Sequence, residues 1–152
     1  LFMKECLPEH SQIDTIEKVS ARIREAKGNF ERYDLRGQIH LYEGDALQVL
    51  KERLSAGASY DFIFMDAAKG QYMNFLQDVL DMMRPGAILV SDNILHDGDI
   101  LESRYAVTRR DRTIHSRMRD YLYTLTHHEQ LETICLSLGD GMTISTKLGT
   151  EM

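Results

Sequence analysis

The sequence predicts an α/β fold: a largely parallel sheet covered by helices, with one antiparallel strand delivered by a C-terminal hairpin. Three observations carry this. Short apolar runs alternate with amphipathic stretches of helical period through the first 91 residues, the pattern of strand–helix–strand crossovers. The connections between them are short, which favours right-handed crossovers in one sheet. Near the C-terminus, "LETICLSL" and "MTISTKL" flank "GDG", a hairpin signal that requires antiparallel pairing.

Taken in order, "QIDTIEK" reads as a strand ending at Glu17. In "VSARIREAKGNFERYD" the spacing of Val19, Ile23, Ala26 and Phe30 predicts an amphipathic helix. Ile39 to Glu43 is the next strand, Asp45 is placed to cap a helix, and Ala46 to Leu54 is that helix. Tyr60 to Met65 is a continuous apolar strand, Tyr72 to Met83 a helix, and "RPG" stops it before the strand Ala87 to Ser91. A helix over Arg112 to His128 gathers Ile114, Met118, Tyr121, Leu122 and Leu125 on one face before the hairpin. A doubly wound nucleotide-binding sheet opens with a strand, a glycine-rich turn and a helix. Here the first segment reads as only the end of such a helix and there is no GxG-type loop, so the expectation is a single domain, N-terminally truncated, whose sheet is interrupted.

With 152 residues, 43% of them hydrophobic and 28% charged, the chain is long enough for one buried core and is not biased toward disorder. It has no apolar run of bilayer-spanning length and no signal-like start, so the cytoplasm is the default expectation and a membrane is not a partner. Cys6 and Cys135 lack CxxC spacing and read as two buried thiols rather than a disulfide. The methionines, Met82 and Met83 among them, read as core, and the histidines as surface or packing residues. The net charge of −6 argues against nucleic acid, yet six of the 18 basic residues fall between Arg104 and Arg119, where Asp111 is the only acid.

Ligands of open α/β sheets sit beyond the carboxyl ends of the strands. Glu17, Asp45, Asp66 and Asp92 with Asn93 terminate the successive strands, so each delivers an acid or amide to one edge. Asp66, Asp92 and Asn93 form a hard oxygen set suited to Mg²⁺, unless they only cap turns. Lys69, three residues after Asp66, can reach over such a cation and neutralise or deprotonate a hydroxyl there; as a plain surface lysine it would only be solvated. Glu17 has the position of the acid that binds ribose hydroxyls, and Asp45 with Ala46 can receive an adenine.

These residues resemble the metal-dependent class I S-adenosylmethionine O-methyltransferases related to catechol and caffeoyl-coenzyme A O-methyltransferases. The resemblance runs through "TIEK", "GDAL", "YDFIFMDAAKGQY", "RPGAILVSDNIL" and "GDGMTIS", nearly the whole chain. It implies a Rossmann-like methyltransferase sheet lacking its first strand, and S-adenosylmethionine and Mg²⁺ as cofactors. It implies that Asp66, Asp92 and Asn93 hold the cation and that Lys69 is catalytic, with Asp66 beside it. Glu17, Asp45, Ala46, Asp66 and Tyr72 would then line the cofactor, and the protein is expected to be a homodimer. "ESRYAVTRRDRTIHSRMRDYLYTL" further resembles the bacterial branch that methylates 5-hydroxyuridine at the tRNA wobble position to 5-methoxyuridine. That implies tRNA as substrate, with Arg104, Arg109, Arg110, Arg112 and Arg119 on its phosphates. The alternatives are a small-molecule catechol-type enzyme or an inactive fragment. A phosphoacceptor receiver would want an acid pair after its first strand and a lysine after Ser91, and "SDNIL" supplies none. A nicotinamide dehydrogenase would share Glu17 but has no use for three oxygen ligands on one cation.

Overall fold

The first parallel pair forms where the sequence places it: β1 (Ile13–Glu17) and β2 (Ile39–Glu43) run in register from Ile13 opposite Ile39 to Glu17 opposite Glu43. The computed structural model describes residues 1–34, 36–95, 98–103 and 105–149. They divide into two units, Leu1–Arg53 and Leu54–Met152, taken in turn.

In the first unit a short helix α1 (Phe2–Glu5) precedes β1, as expected for a helix end. Helix α2 (Ser20–Tyr33) buries Ile23 and stops at Asp34. The Asp34 side chain is 3% exposed and works as a clasp at the entry to β2. It accepts the N–H groups of Gln38 at 3.1 Å and Ile39 at 2.8 Å, and Lys4 Nζ lies 3.6 Å away. Desolvation alone would raise the Asp34 pKa, but these donors outweigh it and hold the carboxyl below its ordinary range. Helix α3 (Ala46–Ser55) buries Val49 and is tied to the strands by Arg53, which bonds Asp14 Oδ2 at 2.9 Å and lies over the Tyr42 ring at 4.8 Å.

In the second unit β3 (Tyr60–Met65), β4 (Met83–Asp92), β5 (Leu131–Leu136) and β6 (Met142–Lys147) form one sheet in the order β3-β4-β6-β5. β3 and β4 are parallel; β6 is antiparallel to both of its neighbours, as the hairpin signal requires. No ladder among the described residues joins this sheet to β1 and β2. β4 begins four residues earlier than the sequence suggests. Between the pairs Tyr60–Met83 and Phe62–Ile88 the register advances two residues on β3 and five on β4, so Arg84, Pro85 and Gly86 form a bulge instead of a break.

Helices α4 (Tyr72–Met82) and α5 (Arg112–His127) supply the core of this unit. Their Phe75, Leu76, Val79, Met82, Met118, Tyr121 and Leu125 are buried with Met65, Met83 and Leu89. Expected helical cover of both sheet faces is met on one only: Phe62, Phe64, Ile88 and Ile134, on the opposite face by strand alternation, are 37–53% exposed. Both cysteines are free and exposed rather than buried, because Cys6 follows a helix with no buried residue and Cys135 lies on the edge strand β5. No described helix is long and apolar enough to cross a membrane.

Replacing Asp34 with alanine is expected to lower unfolding free energy by about 1–3 kcal/mol at neutral pH, because two backbone donors lose their acceptor. Its folded pKa is lowered, so the stabilisation is whole above the unfolded value near pH 4 and disappears as pH falls through the lower folded value. Urea titrations of the wild type and Asp34→Ala should therefore converge in strong acid; a constant difference would contradict the assignment.

Candidate active site at the strand ends

The apolar run of β3 ends at Met65 and hands the chain to Asp66, two alanines and a 3-10 turn, Lys69–Gln71, that leads into α4. The β3–β4 pairing ends with Met65 opposite Ser91, so Asp66 and Asp92 are the next residues of two neighbouring chain segments. Neighbouring strands lie about 4.8 Å apart, so carboxylates at opposed positions can share one ion at about 2.1 Å each.

Tyr72 fastens this arrangement from below. Its side chain is fully buried, with the hydroxyl 2.8 Å from Asp92 O, to which it donates, and 3.4 Å from Met65 O. The ring meets Tyr121 edge-on at 5.1 Å, and the Tyr121 hydroxyl is 2.6 Å from Ser91 Oγ. Two buried phenols thus brace the last residues of β4. Burial pushes the Tyr72 hydroxyl up to about 12, and the charges of both Asp66 and Asp92 add to the shift. Tyr72, expected on the cofactor side, opens α4 and has its ring buried.

Asp92 Oδ1 accepts the N–H of Asn93 at 2.7 Å, and Asn93 has φ 54°, the one left-handed non-glycine among the described residues. Asparagine tolerates that conformation better than most residues, and such outliers gather at functional sites. Among the described residues no hydrogen bond or ion pair engages the Asp66 carboxylate, and no group of three His, Cys, Asp or Glu side chains is placed to hold a metal. The available donor set is therefore the mixed one, two carboxylates and an amide, whose hard oxygens suit Mg²⁺.

Lys69 is not a free solvated amine. Its Nζ lies 3.1 Å from Asp140 Oδ2, with both side chains about one quarter exposed. Asp140 is the acid of the hairpin turn, which sequence reasoning treated only as a turn residue; its position between two glycines was the one available signal. Arg117 was likewise missed: it donates to Gly70 O at 3.2 Å and steadies the turn that carries Lys69.

The first unit holds the residues expected around adenosine. Glu17 Oε1 accepts the N–H groups of Lys18 and Val19, both at 2.8 Å. The Val19 N–H above all lowers its pKa, with Lys18 and Arg22 contributing. Asp45 caps α3 through Leu47 N–H at 3.1 Å, which lowers its pKa, and pairs with Lys18 at 3.2 Å. Ala46 opens α3 and is half-buried. Glu17 and Asp45 are thus engaged with their own backbone, each leaving a second carboxylate oxygen toward a basic side chain.

Of the arginines, Arg104 lies outside the described residues and Arg109 and Arg110 are exposed. Arg112 and Arg119, expected to point outward from α5, are partly spent on the preceding loop: Arg112 bonds Val107 O at 3.3 Å, and Arg119 bonds Ile100 O at 3.3 Å and Glu102 O at 3.4 Å. Each thus gives one guanidinium nitrogen to loop carbonyls that need donors, while Arg112 stays half-buried and Arg119 exposed.

Comparison with known proteins agrees with this architecture. The family model for O-methyltransferases matches residues 1–148. The chain is 32% identical over 103 residues to a catechol O-methyltransferase of Niastella koreensis, covering 67% of this chain and 47% of that enzyme. It resembles a Klebsiella pneumoniae structure assigned to the O-methyltransferases, with TM-score 0.84, 25% identity, and 97% of this chain and 67% of that chain covered. An O-methyltransferase from Bacillus cereus in complex with SAH has TM-score 0.80 over 93% of this chain and 64% of its own, and at 21% identity that likeness is one of fold. The chain spans about half the length of the curated relatives it matches.

Removing only the hydroxyl, in Tyr72→Phe, is expected to cost about 1–2 kcal/mol, since the buried carbonyls of Asp92 and Met65 lose their shared donor. Chemical denaturation measures this directly, and an unchanged midpoint would show that the hydroxyl does not hold the strand ends.

Proposed function

Because the chain belongs to the O-methyltransferase family, we propose that the protein transfers the methyl group of S-adenosylmethionine to a hydroxyl oxygen of a small catechol-type substrate, with Mg²⁺ at Asp66, Asp92 and Asn93. The observation that supports this reading is the pairing of Met65 with Ser91, after which Asp66 and Asp92 are the next residues of the two segments, with the Tyr72 hydroxyl bonded to Asp92 O and Lys69 on the adjoining turn. The catechol enzyme of Niastella koreensis supports the substrate class. Two vicinal oxygens can both face one hard cation, so such a substrate is oriented as well as held.

When bound, S-adenosylmethionine supplies a methyl carbon on a sulfonium, and the divalent cation supplies positive charge that lowers the pKa of the neighbouring hydroxyl. The chain's own groups do the rest. Asp66, Asp92 and Asn93 fix the position of the substrate oxygens. The Lys69 ammonium neutralises the developing phenolate. The oxygen forms a bond to the methyl carbon as the carbon–sulfur bond breaks, leaving a methyl ether and a neutral thioether, and the hydroxyl proton passes to solvent. Glu17 and Asp45, with Ala46, are the residues of the first unit assigned to ribose and adenine, where their second oxygens would exchange Arg22 and Lys18 for the ligand.

A second reading is methylation of 5-hydroxyuridine in tRNA, whose hydroxyl beside a carbonyl presents the same pair of oxygens. Exposed Arg109 and Arg110 favour it; the bonds of Arg112 and Arg119 to loop carbonyls weaken it.

Methyl transfer to catechol is expected to need Mg²⁺, to stop with EDTA, and to lose about 10²–10⁴-fold in kcat in Lys69→Ala. If neither catechol nor hydroxyuridine tRNA is methylated with Mg²⁺ present, the proposal is wrong. In Arg109→Glu and Arg110→Glu, the small-molecule reading leaves catechol turnover intact. The tRNA reading instead expects weaker RNA binding and a salt slope smaller by about one per arginine.

A further inference from the structure

We infer that Asp140 is a positioning residue for methyl transfer: it holds the Lys69 ammonium in place and docks the hairpin turn onto the segment that follows the Asp92–Asn93 pair. The inference rests on the reading of Lys69 as the lysine of the reaction. Two features of the turn meet at this residue. The Asp140 carboxylate lies 3.1 Å from Lys69 Nζ, joining positions 71 apart in sequence. Its backbone carbonyl accepts Leu95 N–H at 2.9 Å, and the carbonyl of Gly141 accepts Ile94 N–H at 3.1 Å. One turn of the β5–β6 hairpin therefore contacts both the loop bearing Lys69 and the loop just beyond two of the proposed cation ligands.

The turn is built to approach closely. Gly139 and Gly141 have φ 56° and 75°, the left-handed region that glycine enters without strain. A Cβ on Gly141 would overlap Leu95 Cγ and lie 2.7 Å from Leu95 Cδ1 and 3.2 Å from Ile94 Cγ1. A side chain there would push the turn off the 94–95 segment and carry Asp140 with it. On the other side, Gln71 N–H bonds Ala68 O at 2.7 Å and Arg117 bonds Gly70 O, so the backbone around Lys69 is already fixed. The four-carbon side chain of Lys69 is what remains to be restrained, and a lysine left free loses the positional advantage that catalysis needs. Asp140 supplies that restraint with a charge-assisted bond.

The test uses Asp140→Asn, which keeps the shape and removes the charge, with Asp140→Glu as the charge-retaining partner. Two measurements are made: competitive acetylation of Lys69 by mass spectrometry, with exposed Lys51 as internal reference, and steady-state methyl transfer to catechol with S-adenosylmethionine and Mg²⁺. In Asp140→Asn the acetylation rate of Lys69 relative to Lys51 should rise roughly threefold or more. kcat should fall roughly 10- to 100-fold with KM nearly unchanged, and Asp140→Glu should recover part of both. Unchanged Lys69 acetylation in Asp140→Asn overturns the inference, and so does increased acetylation with kcat intact. If the unsubstituted protein methylates no probe, the methyltransferase reading falls, while the acetylation pattern still decides whether Asp140 holds Lys69.

Discussion

The buried hydroxyl of Tyr72 is the contact on which the strand-end arrangement depends. Two parallel strands that leave a sheet normally diverge, and their terminal side chains diverge with them. Here one phenol lies within reach of the last carbonyl of β3 and the carbonyl of Asp92, while Tyr121 and Ser91 close a second buried bond one residue earlier. An unmade hydrogen bond at this depth would be costly, so the phenol and the strand termini hold one another. The acids that follow each strand are then displayed from a rigid base, as sites that must discriminate geometry require.

Charge around that base is arranged in opposed pairs. Asp66 and Asp92 repel ionisation of Tyr72, which keeps the phenol neutral and a donor. Lys69 is balanced by Asp140. In the first unit Glu17 and Asp45 are quenched by backbone N–H groups and by Arg22 and Lys18. Such pairs between half-exposed groups contribute little to stability. They keep these polar groups oriented: in Glu17 and Asp45 one carboxylate oxygen accepts a backbone N–H and the other lies toward a basic side chain.

The arginine-rich stretch shows how local need competes with long-range attraction. The loop before α5 has carbonyls without ladder partners, and Arg112 and Arg119 satisfy several of them. Arg117 does the same for the Lys69 turn. Arg109 and Arg110 are exposed. A basic run in sequence is thus part scaffold and part surface.

The alternation of apolar runs and amphipathic stretches determined the parallel pairs, the hairpin, and the acids at the strand ends, because strand and helix periods and turn residues act over a few neighbours. β1, β2, β3 and β5 and the helices lie close to where the pattern puts them. Contacts between residues far apart in the chain were settled by folding alone. The bulge at Arg84–Gly86 follows from how β4 meets β3, and the inward turn of Tyr72 from which face of α4 the sheet covers. Exposure of Cys135 follows from its strand falling at an edge. The grip of Asp140 on Lys69 belongs to the same class, since no local period links positions 71 residues apart. Sequence patterns record which way a side chain leaves its own strand or helix; only packing of those elements against each other decides what it meets.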